Sequence, residues 1–455
     1  MSLLIPRNKP TIVTVARARS GRAFYLPIRA KLGVTLTIAC LWVTFSVIMA
    51  LPWIFDLSRT VTFPVAIATI TLIAFFPGAM NAFIVSSLMI DRRPARRAPT
   101  VYPPVSILIA AYNEQATIAA TIENVFETGY PGAMEVLVID DGSTDATLVR
   151  ARAMIAKYPA LRVIAAPHGG KAAALNRGLE LSSHDLLVSI DADTFLYRDA
   201  LGRIVERFLS DPPETAAVAG TVLVRNSRDG VLAKVQEWDY FHGIAAVKRA
   251  QSLYQGTLVA QGAFSLYTKA ALREVGGWPD TVGEDIVMTW AMLKSGHRVG
   301  YAEDAIAFTN VPTSYGAFFK QRRRWARGLI EAFRRHPEVL IQPRLNAVFI
   351  YWNLLFPLLD AVYLFVFVPG VVMALFGRFD LAGPATIAVL PLALLINLVI
   401  FRTQQPMFAR QGLLVRRNLF GFLSYLLVYS LMLQPATIAG YLSEIIGLRK
   451  SWGTK

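Results

Sequence analysis

The sequence is poor in the residues that build disulfides and zinc sites. It has a single cysteine, Cys40, among 455 residues, so no disulfide can form within the chain and no cysteine cluster can hold zinc. The histidines are far apart and never approach the spacing of a metal site. They are His168, His184, His242, His297 and His336. These absences exclude a disulfide scaffold and a zinc domain.

The glycine-rich motifs of the common nucleotide-binding folds are also missing. The turn after the first predicted strand reads AAYNEQ and lacks the glycines of a dinucleotide-binding fingerprint. A Gly-Lys pair occurs in PHGGKAAAL, but Ala165 and Ala172 occupy the positions where a P-loop needs glycine and serine or threonine. Any phosphate site in this chain must therefore be built in another way.

Acidic residues are fewer than basic ones, and the chain has a formal net charge of +15. Much of the basic excess flanks long apolar runs near the two ends of the chain, a pattern typical of membrane proteins whose basic loops stay in the cytoplasm. A soluble nucleic-acid-binding protein would instead gather this charge on one face of a domain. The sequence therefore favours a membrane protein without a nucleic-acid partner.

The apolar runs predict membrane helices on both sides of a globular domain. Two helices form an N-terminal hairpin whose basic flanks place both ends, and hence the domain, in the cytoplasm. About three helices follow the domain; five crossings would put the basic tail outside, against the same charge rule, so the number stays open. The predicted segments are a basic N-terminus (1–31), a transmembrane hairpin (32–90), a globular domain (100–313), interfacial helices (314–345), C-terminal transmembrane helices (346–442) and a tail (443–455).

The globular domain reads as an α/β fold. Short apolar runs such as VSILIAA, EVLVIDD and DLLVSID end in polar residues and alternate with helical stretches. Strand–helix alternation of this length predicts a mostly parallel, Rossmann-like sheet covered on both faces. Such sheets bind ligands beyond the carboxyl ends of their strands.

Acidic residues end two of the predicted strands. The second strand ends in Asp140 and Asp141, and the fourth ends in Asp191, with Asp193 two residues further on. Because the ends of parallel strands meet at one edge of a sheet, these carboxylates are expected to face one cleft. Two carboxylates at i and i+2 suit a hard divalent cation that also binds phosphate oxygens. Each aspartate alone could be a helix cap, but the two clusters together favour a nucleotide-diphosphate site.

Two further segments are ambiguous on local sequence. Lys171 opens a predicted helix after a Gly-Gly turn, where it could contact a diphosphate or could simply be a solvated lysine. Glu284 and Asp285 precede another helix. They are either first-turn acids favoured by the helix dipole or include a general base that takes the proton of an acceptor hydroxyl.

The stretch AFFKQRRRWARGL places Trp325 among five basic residues. Local sequence favours a basic interfacial helix with an anchoring tryptophan. The acidic motifs upstream favour an indole platform for a sugar, beside an arginine, Arg324, that neutralises a departing diphosphate. On that interpretation Gln321 contacts the acceptor or a neighbouring side chain. The other basic residues are then expected at the membrane interface: Lys320, Arg322, Arg323 and Arg327.

Six motifs follow one another along the domain: AAYNE, DDGSTD, GGKAAALNRG, DADT, GEDIVMTW and QRRRW. This ordered set, framed by spanning helices, resembles the processive family-2 glycosyltransferases with a GT-A domain. That group includes synthases of cellulose, chitin, hyaluronan and poly-N-acetylglucosamine. The sequence is most similar to poly-β-1,6-N-acetylglucosamine synthases.

The resemblance implies a role for each matched residue. It implies that Tyr112 and Glu114 contact the uracil ring, that Asp140 and Asp141 contact the uridine, and that Asp191 helps to bind the nucleotide. Lys171 would contact the diphosphate, and Asp193 would coordinate Mg²⁺ or Mn²⁺. Asp285 would be the general base, and the acceptor or diphosphate would be contacted by Gln321, Arg324 and Trp325. One residue departs from the pattern: Gln261 stands where some relatives have cysteine, close to the expected acceptor site.

The resemblance also implies an activity. The chain would be an inverting, processive enzyme of the bacterial inner membrane that polymerises a UDP-sugar, with UDP-N-acetylglucosamine expected, and passes the polysaccharide through its own channel. Its partners would be the UDP-sugar donor, the growing polysaccharide, the lipid bilayer and a small membrane accessory subunit. Three alternatives stay open: another polysaccharide synthase, a non-processive transferase acting on a lipid carrier, and a non-enzymatic membrane scaffold.

Overall fold

The computed structural model describes residues 4–6, 26–92, 96, 98–382, 385–415 and 417–448. Most of the predicted basic N-terminus and the end of the predicted tail lie outside these ranges.

Ten strands are present in the described part of the chain, eight of them in one central sheet. They are β1 Leu4–Pro6, β2 Val105–Ala111, β3 Met134–Asp141, β4 Leu161–Ala166, β5 Leu186–Asp191, β6 Phe195–Leu196, β7 Thr215–Val224, β8 Phe264–Thr268, β9 Arg298–Thr309 and β10 Leu413–Val415. The short strands β1 and β10 pair with each other in antiparallel fashion, apart from the central sheet.

The central sheet has the strand order β4-β3-β2-β5-β8-β7-β9-β6. Its first four strands are parallel, as the strand–helix alternation predicts. Strand β8 then runs antiparallel to both of its neighbours, β5 and β7, so the sheet is mixed rather than almost wholly parallel. The predicted α/β fold is confirmed. The antiparallel direction of β8 could not be predicted from strand–helix alternation.

Alternate side chains along each strand enter separate cores on the two faces of the sheet. In β2, Ile107 and Ile109 join one core, whereas Leu108 joins the other. All three are fully buried, and each contributes on the order of 1.5–3 kcal/mol of hydrophobic stabilisation. Helices cover both faces: α4 Ile118–Glu127, α5 Thr147–Ala153, α6 Lys171–Leu181, α7 Ala200–Ser210, α8 Val231–Trp238, α9 Val247–Leu253, α10 Lys269–Glu274, α11 Glu284–Lys294 and α12 Tyr315–Arg335.

Long apolar helices flank this domain on its N-terminal side. Helix α1 spans Ile28–Thr60, and a second long helix spans Phe63–Met89. A π-helical turn divides the second one just before Pro77, where the missing amide hydrogen and the ring interrupt regular α-helical bonding. This divides it into α2, Phe63–Ile70, and α3, Phe76–Met89.

The hairpin is joined to the globular domain through a buried tyrosine. The hydroxyl group of Tyr254 lies 3.0 Å from the Thr35 hydroxyl of α1 and 2.9 Å from the Ser87 hydroxyl of α3. Because Tyr254 is fully buried, these two bonds satisfy a polar group that would otherwise be costly. The membrane helices and the domain therefore share one core.

The C-terminal helices are α13 Ala347–Val362, α14 Val368–Leu375, α15 Ala385–Arg410, α16 Leu419–Leu427 and α17 Tyr429–Ile445. A π-helical turn joins α13 and α14 into one continuous helix, which contains Pro357 and Pro369. Helices α16 and α17 are bent by 52° against each other. The described residues thus contain four helices long and apolar enough to cross a membrane, or five if the bent pair is one span.

Candidate active site

The two acidic clusters flank the end of the same strand. Strand β2 lies between β3 and β5, with Ala111 beside Asp140 and Ala110 beside Asp191. The carboxylates therefore meet at one edge of the sheet, although they come from strands that are not neighbours. This is the edge where a parallel sheet binds ligands.

Asp141 organises the turn that carries Lys171. Its two carboxylate oxygens accept hydrogen bonds from the backbone amides of Gly169, at 2.8 Å, and Gly170, at 2.9 Å. Gly170 has φ of +86°, a left-handed conformation that favours glycine, and α6 begins at the next residue. Asp141 therefore fixes the conformation of the turn that precedes α6.

Asp140 and Tyr112 offer contacts of the kind that a nucleoside needs. One oxygen of the buried Asp140 carboxylate accepts the Ser143 amide at 3.2 Å, and the other, Oδ1, has no hydrogen-bond partner among the described residues. The Tyr112 ring is partly exposed and stacks on the His168 ring with 4.4 Å between centroids. The Glu114 carboxylate already accepts a hydrogen bond within the protein, from the Thr117 hydroxyl at 3.1 Å.

Lys171 joins the strand end to the segment containing Glu284 and Asp285. Its amine forms a short hydrogen bond to Asp191 and lies 3.4 Å from Glu284 Oε1. Burial by itself would lower the pKa of Lys171, but the carboxylates of Asp191 and Glu284 raise it above the ordinary value. The lysine is therefore a fixed cation at the centre of the site. Burial raises the pKa of Glu284, and Lys171 opposes that rise.

Asp285 lies one residue further along the first turn of α11. Its Oδ1 accepts the Ile286 amide at 2.8 Å, and its Oδ2 accepts the Gly262 amide at 3.4 Å. Gly262 also lies close to the lysine, because a Cβ atom at Gly262 would lie only 2.5 Å from Lys171 Nζ. Gly262 therefore lies close to both Asp285 and Lys171, and the charge of Asp285 also contributes to the raised pKa of Lys171.

The loop before Gly262 is anchored by a buried lysine that the motifs do not mark. Lys248 Nζ donates to the Val259 carbonyl oxygen at 2.9 Å and to Gln261 Oε1. The Gln261 amide in turn donates to the Gly220 carbonyl at 2.7 Å. Burial lowers the pKa of Lys248 to about 7, against an opposing effect of Asp285. Gln261, the residue that departs from the family pattern, is thus part of this anchor.

Helix α12, which carries the QRRRW motif, docks on the N-terminal turn of α11. The buried Glu331 accepts hydrogen bonds from the backbone amides of Val282, at 3.0 Å, and Gly283, at 3.3 Å. Gly283 also packs directly on Gly328 of α12. These contacts bring the motif to the acidic strand ends.

Tyr240 lies near Trp325 and interacts with two further predicted residues, Asp193 and Arg324. Its ring lies 6.4 Å from the ring of Trp325, which is 39% exposed. Burial raises the pKa of Tyr240 to about 12, and the charges of Asp193 and Arg324 both act on it, so both lie nearby. The charge of Arg324 also acts on Glu284. The charge of Arg324 therefore acts both on Tyr240, which lies beside Trp325, and on Glu284, which lies beside Lys171.

Gln321 and Asp193 complete the set of predicted residues. Gln321 Oε1 is buried and has no hydrogen-bond partner among the described residues, so its amide can still accept a bond. Asp193 Oδ1 accepts the Thr309 hydroxyl at 3.4 Å. Asp140 and Asp141 end β3, on the opposite side of β2 from Asp191, and Tyr112 and Glu114 follow the end of β2 itself.

The acidic residues fit a divalent cation that is shared with a substrate. No group of three or more histidine, cysteine or acidic residues within the described ranges could hold a metal alone. The D-x-D segment offers Asp193, with Asp191 already committed to Lys171. Mg²⁺ and similar ions are commonly held by one or two carboxylates plus phosphate oxygens, which is what this edge can supply.

One expectation about the motif is wrong for two arginines. Arg322 and Arg327 were expected at the membrane interface, but both are buried, at 4% and 5% exposure. Arg322 pairs with Asp239 at 2.9 Å, and Arg327 pairs with Glu444 of α17 at 3.0 Å. Helical periodicity could have indicated the burial of Arg322, because positions 318, 322 and 326 lie at helical spacing on the buried face of α12.

Sequence reasoning missed several residues that build the site. They are Asp239, Tyr240, Lys248, Gly262, Gly283, Gly328 and Glu331. Of these residues, Gly328 gave a weak signal, since glycine is unfavourable inside a helix and its presence there can mark a packing contact.

The fold and the acidic strand ends define the class: this is a GT-A glycosyltransferase domain flanked by apolar helices. Residues 103–328 match the family described as "Glycosyltransferase like family 2". The central domain of the chain therefore belongs to glycosyltransferase family 2.

Relatives with the same domain are polysaccharide synthases. Poly-beta-1,6-N-acetyl-D-glucosamine synthase of Staphylococcus aureus (strain COL) is 35% identical over 232 residues, which is 51% of this chain and 56% of the relative. The enzyme of that name from Staphylococcus epidermidis is 33% identical over 272 residues, or 57% of this chain and 65% of the relative. The match thus covers less than two thirds of the length of these curated relatives.

A solved structure supports the fold over a wider region. The mannosyltransferase of Pyrobaculum calidifontis, in complex with GDP-Man and Mn²⁺, has a TM-score of 0.58 to this chain. The alignment covers 84% of this chain and 99% of that one, at 22% identity. At this identity the likeness shows the fold alone.

Proposed function

We propose that this protein is an inverting, processive β-glycosyltransferase that polymerises UDP-N-acetylglucosamine. The observation that supports the proposal is the docking of α12, the helix that carries Arg324 and Trp325, on the N-terminal turn of α11, which carries Glu284 and Asp285. A nucleotide-sugar site and an acceptor platform are then adjacent. The poly-β-1,6-N-acetylglucosamine synthases that match the domain support the choice of sugar.

Donor binding divides between the two sides of β2. Asp140 Oδ1, which has no hydrogen-bond partner among the described residues, would accept a hydrogen bond from the uracil or ribose, and the base would stack on the exposed ring of Tyr112. Glu114 and Asp141 hold the surrounding turns through the bonds described above. The nucleoside would therefore lie over the ends of β2 and β3, with its diphosphate pointing toward β5.

The diphosphate would meet the cations of the site. Lys171 is held at the end of β5, and Arg324 reaches the same region from α12. A divalent cation bound at Asp193 would neutralise phosphate charge as the leaving group departs. Arg324 adds a permanent positive charge where negative charge develops, and such preorganised charges stabilise a transition state strongly.

Asp285 would act as the general base. It is half-buried in the first turn of α11, and the two hydrogen bonds that it accepts come from the backbone amides of Gly262 and Ile286. It would accept the proton of the acceptor hydroxyl while that oxygen attacks the anomeric carbon opposite UDP. Such a single displacement inverts configuration, so an α-linked donor yields a β-linked product.

Trp325 would form the platform for the growing chain. Its indole is partly exposed above buried neighbours and offers a flat apolar face to a sugar ring. The flanking apolar helices would embed the enzyme in the bacterial inner membrane, with the domain in the cytoplasm and the polymer leaving through a channel between helices. A small membrane accessory subunit is part of the same proposal.

The test supplies inverted membrane vesicles containing the protein with each UDP-sugar in turn, then digests the product with linkage-specific glycosidases. A long product made from UDP-N-acetylglucosamine and cut by a β-1,6-specific enzyme is the expected result. A long product from another donor would correct the sugar while keeping the polymerase. Transfer of one sugar to lipid would favour a non-processive enzyme, and no UDP release from any donor would favour a scaffold.

A further inference from the structure

The platform tryptophan rests on a buried arginine. Arg322 precedes Trp325 by three residues on α12, so the two side chains share one helix face. The guanidinium carbon lies 4.1 Å from the centroid of the indole ring, well within cation–π range. Phe318 and Tyr240 enclose the same guanidinium group at 5.1 Å and 5.9 Å. The arginine is 4% exposed, so water does not screen these contacts.

The charge of this arginine is balanced by one carboxylate from another element. Asp239 Oδ2 lies 2.9 Å from Arg322 and also accepts the Tyr429 hydroxyl group at 2.8 Å. Asp239 is itself 8% exposed. A buried ion pair is costly to break, because the partner that remains is an uncompensated charge. Asp239 and Arg322 therefore behave as one unit.

The backbone around Asp239 supports the platform from a second direction. Asp239 and Tyr240 begin a π-helical segment, Asp239–Ala246, a geometry that is rare and often found at functional sites. Asp239 fixes the cation beneath the indole, while the Tyr240 ring lies 6.4 Å from the indole centroid. Asp239 therefore acts on Trp325 through Arg322, and the next residue, Tyr240, lies beside the indole itself.

We infer that Asp239 and Arg322 are positioning residues that hold the Trp325 indole in the orientation required by the growing polysaccharide chain. This inference rests on the proposed function. An indole on a helix surface has several rotamers of similar energy. A cation held against one face selects the rotamer that leaves the other face open. The pair acts on the acceptor through Trp325 and leaves donor binding to Lys171, Arg324 and Asp193.

The experiment uses the full-length chain in membranes and separates acceptor use from donor use. UDP release is measured against UDP-N-acetylglucosamine and against a short β-1,6-linked N-acetylglucosamine oligomer, which gives a KM for each. Arg322→Met keeps an unbranched side chain of similar length without the charge, and Asp239→Asn keeps the shape without the charge. Each should raise the KM for the oligomer about tenfold and shorten the product, with the KM for the donor within twofold.

Two controls separate positioning from folding. Tyr429→Phe removes the bond from α17 to Asp239 and leaves the ion pair intact, so the KM for the oligomer should stay within twofold. Arg322→Lys retains a cation and should recover part of the loss seen in Arg322→Met.

A double-mutant cycle with Trp325→Ala gives the deciding readout. If Arg322 acts through the indole, Arg322→Met adds nothing to the acceptor KM once the indole is gone. A further additive rise, or equal losses of donor and acceptor use, would overturn the inference. If the unaltered chain makes no polymer from any UDP-sugar, the proposed function fails as well. This outcome is distinguishable from failure of the inference alone, because it is seen without any variant.

Discussion

Gly283 and Gly328 meet without a side chain between them. A Cβ atom at Gly283 would lie 2.5 Å from the Cα of Gly328, and a Cβ at Gly328 would lie 2.8 Å from the Cα of Gly283. Both neighbours are backbone atoms, which cannot rotate away. This contact sets the distance between the helix that carries Asp285 and the helix that carries Trp325.

Gly328→Ala should therefore separate α11 from α12 and misplace Trp325 relative to Asp285. Forcing an extra methyl group into such a contact costs about 1–3 kcal/mol. We expect polymer synthesis to fall at least tenfold and the thermal midpoint in detergent to drop. Gly316→Ala is the matched control on the same helix, because a Cβ there meets nothing within 4 Å. Equal activity of the two variants would show that this contact does not control the site.

Asp285→Asn should abolish polymer formation and leave UDP binding nearly intact. The amide keeps the size of the side chain but cannot accept the proton of the acceptor hydroxyl. The two quantities to measure are polymer yield in vesicles and UDP affinity by calorimetry on detergent-purified protein. A normal yield of polymer from this variant would remove Asp285 as the base.

Trp325→Ala should impair elongation more than hydrolysis of the UDP-sugar. Under the proposed function, the exposed indole of Trp325 contacts the acceptor, whereas the donor diphosphate contacts Lys171 and Arg324. Product length on a gel and UDP release without acceptor are the paired readouts. Trp325→Phe keeps an aromatic face and should retain intermediate length. Equal losses of elongation and hydrolysis would argue against an acceptor platform.

Removal of divalent cations should stop UDP release, and Mg²⁺ or Mn²⁺ should restore it. The carboxylates present suit an ion completed by phosphate oxygens, so binding of the metal should depend on the donor. Asp193→Asn should raise the metal concentration needed for half-maximal activity by about tenfold or more. Full activity in a chelator would contradict a metal-dependent site.

Lys248 should make stability depend on pH. Burial lowers its pKa to about 7 in the folded chain, whereas an unfolded lysine titrates near about 10.4. Between these values the unfolded chain binds one more proton, so the free energy of unfolding rises with pH across this window, by a few kcal/mol in total. Unfolding in detergent from pH 7 to 10 should show the rise, and Lys248→Met should flatten it.

Lys294 provides the control for this measurement. It is a lysine paired with Glu338 on the surface, so Lys294→Met should leave the pH dependence in place. A slope that is unchanged in Lys248→Met would show that another group causes it.

Local patterns in the sequence predicted much of the architecture. Apolar runs of spanning length, strand–helix alternation and acids at strand ends each depend on residues close together in the chain. They were enough to predict the flanking helices and the α/β fold and to name Asp191 and Asp193 as candidates. The family and the roles of Asp285 and Trp325 were predicted from the resemblance of the ordered motifs to a known family. The antiparallel strand β8 was not predictable in this way, because strand direction depends on how the chain crosses the sheet.

The sequence by itself determined which chemical groups the protein has and in which order they occur. Only the tertiary structure decided which of them meet: Lys171 with Asp191 and Glu284, and Arg322 with Asp239 beneath Trp325. A basic residue in a basic stretch looks the same locally whether it faces lipid headgroups or a buried carboxylate. Its environment depends on a partner far away in the chain, and packing brings that partner to it because a buried charge must be compensated.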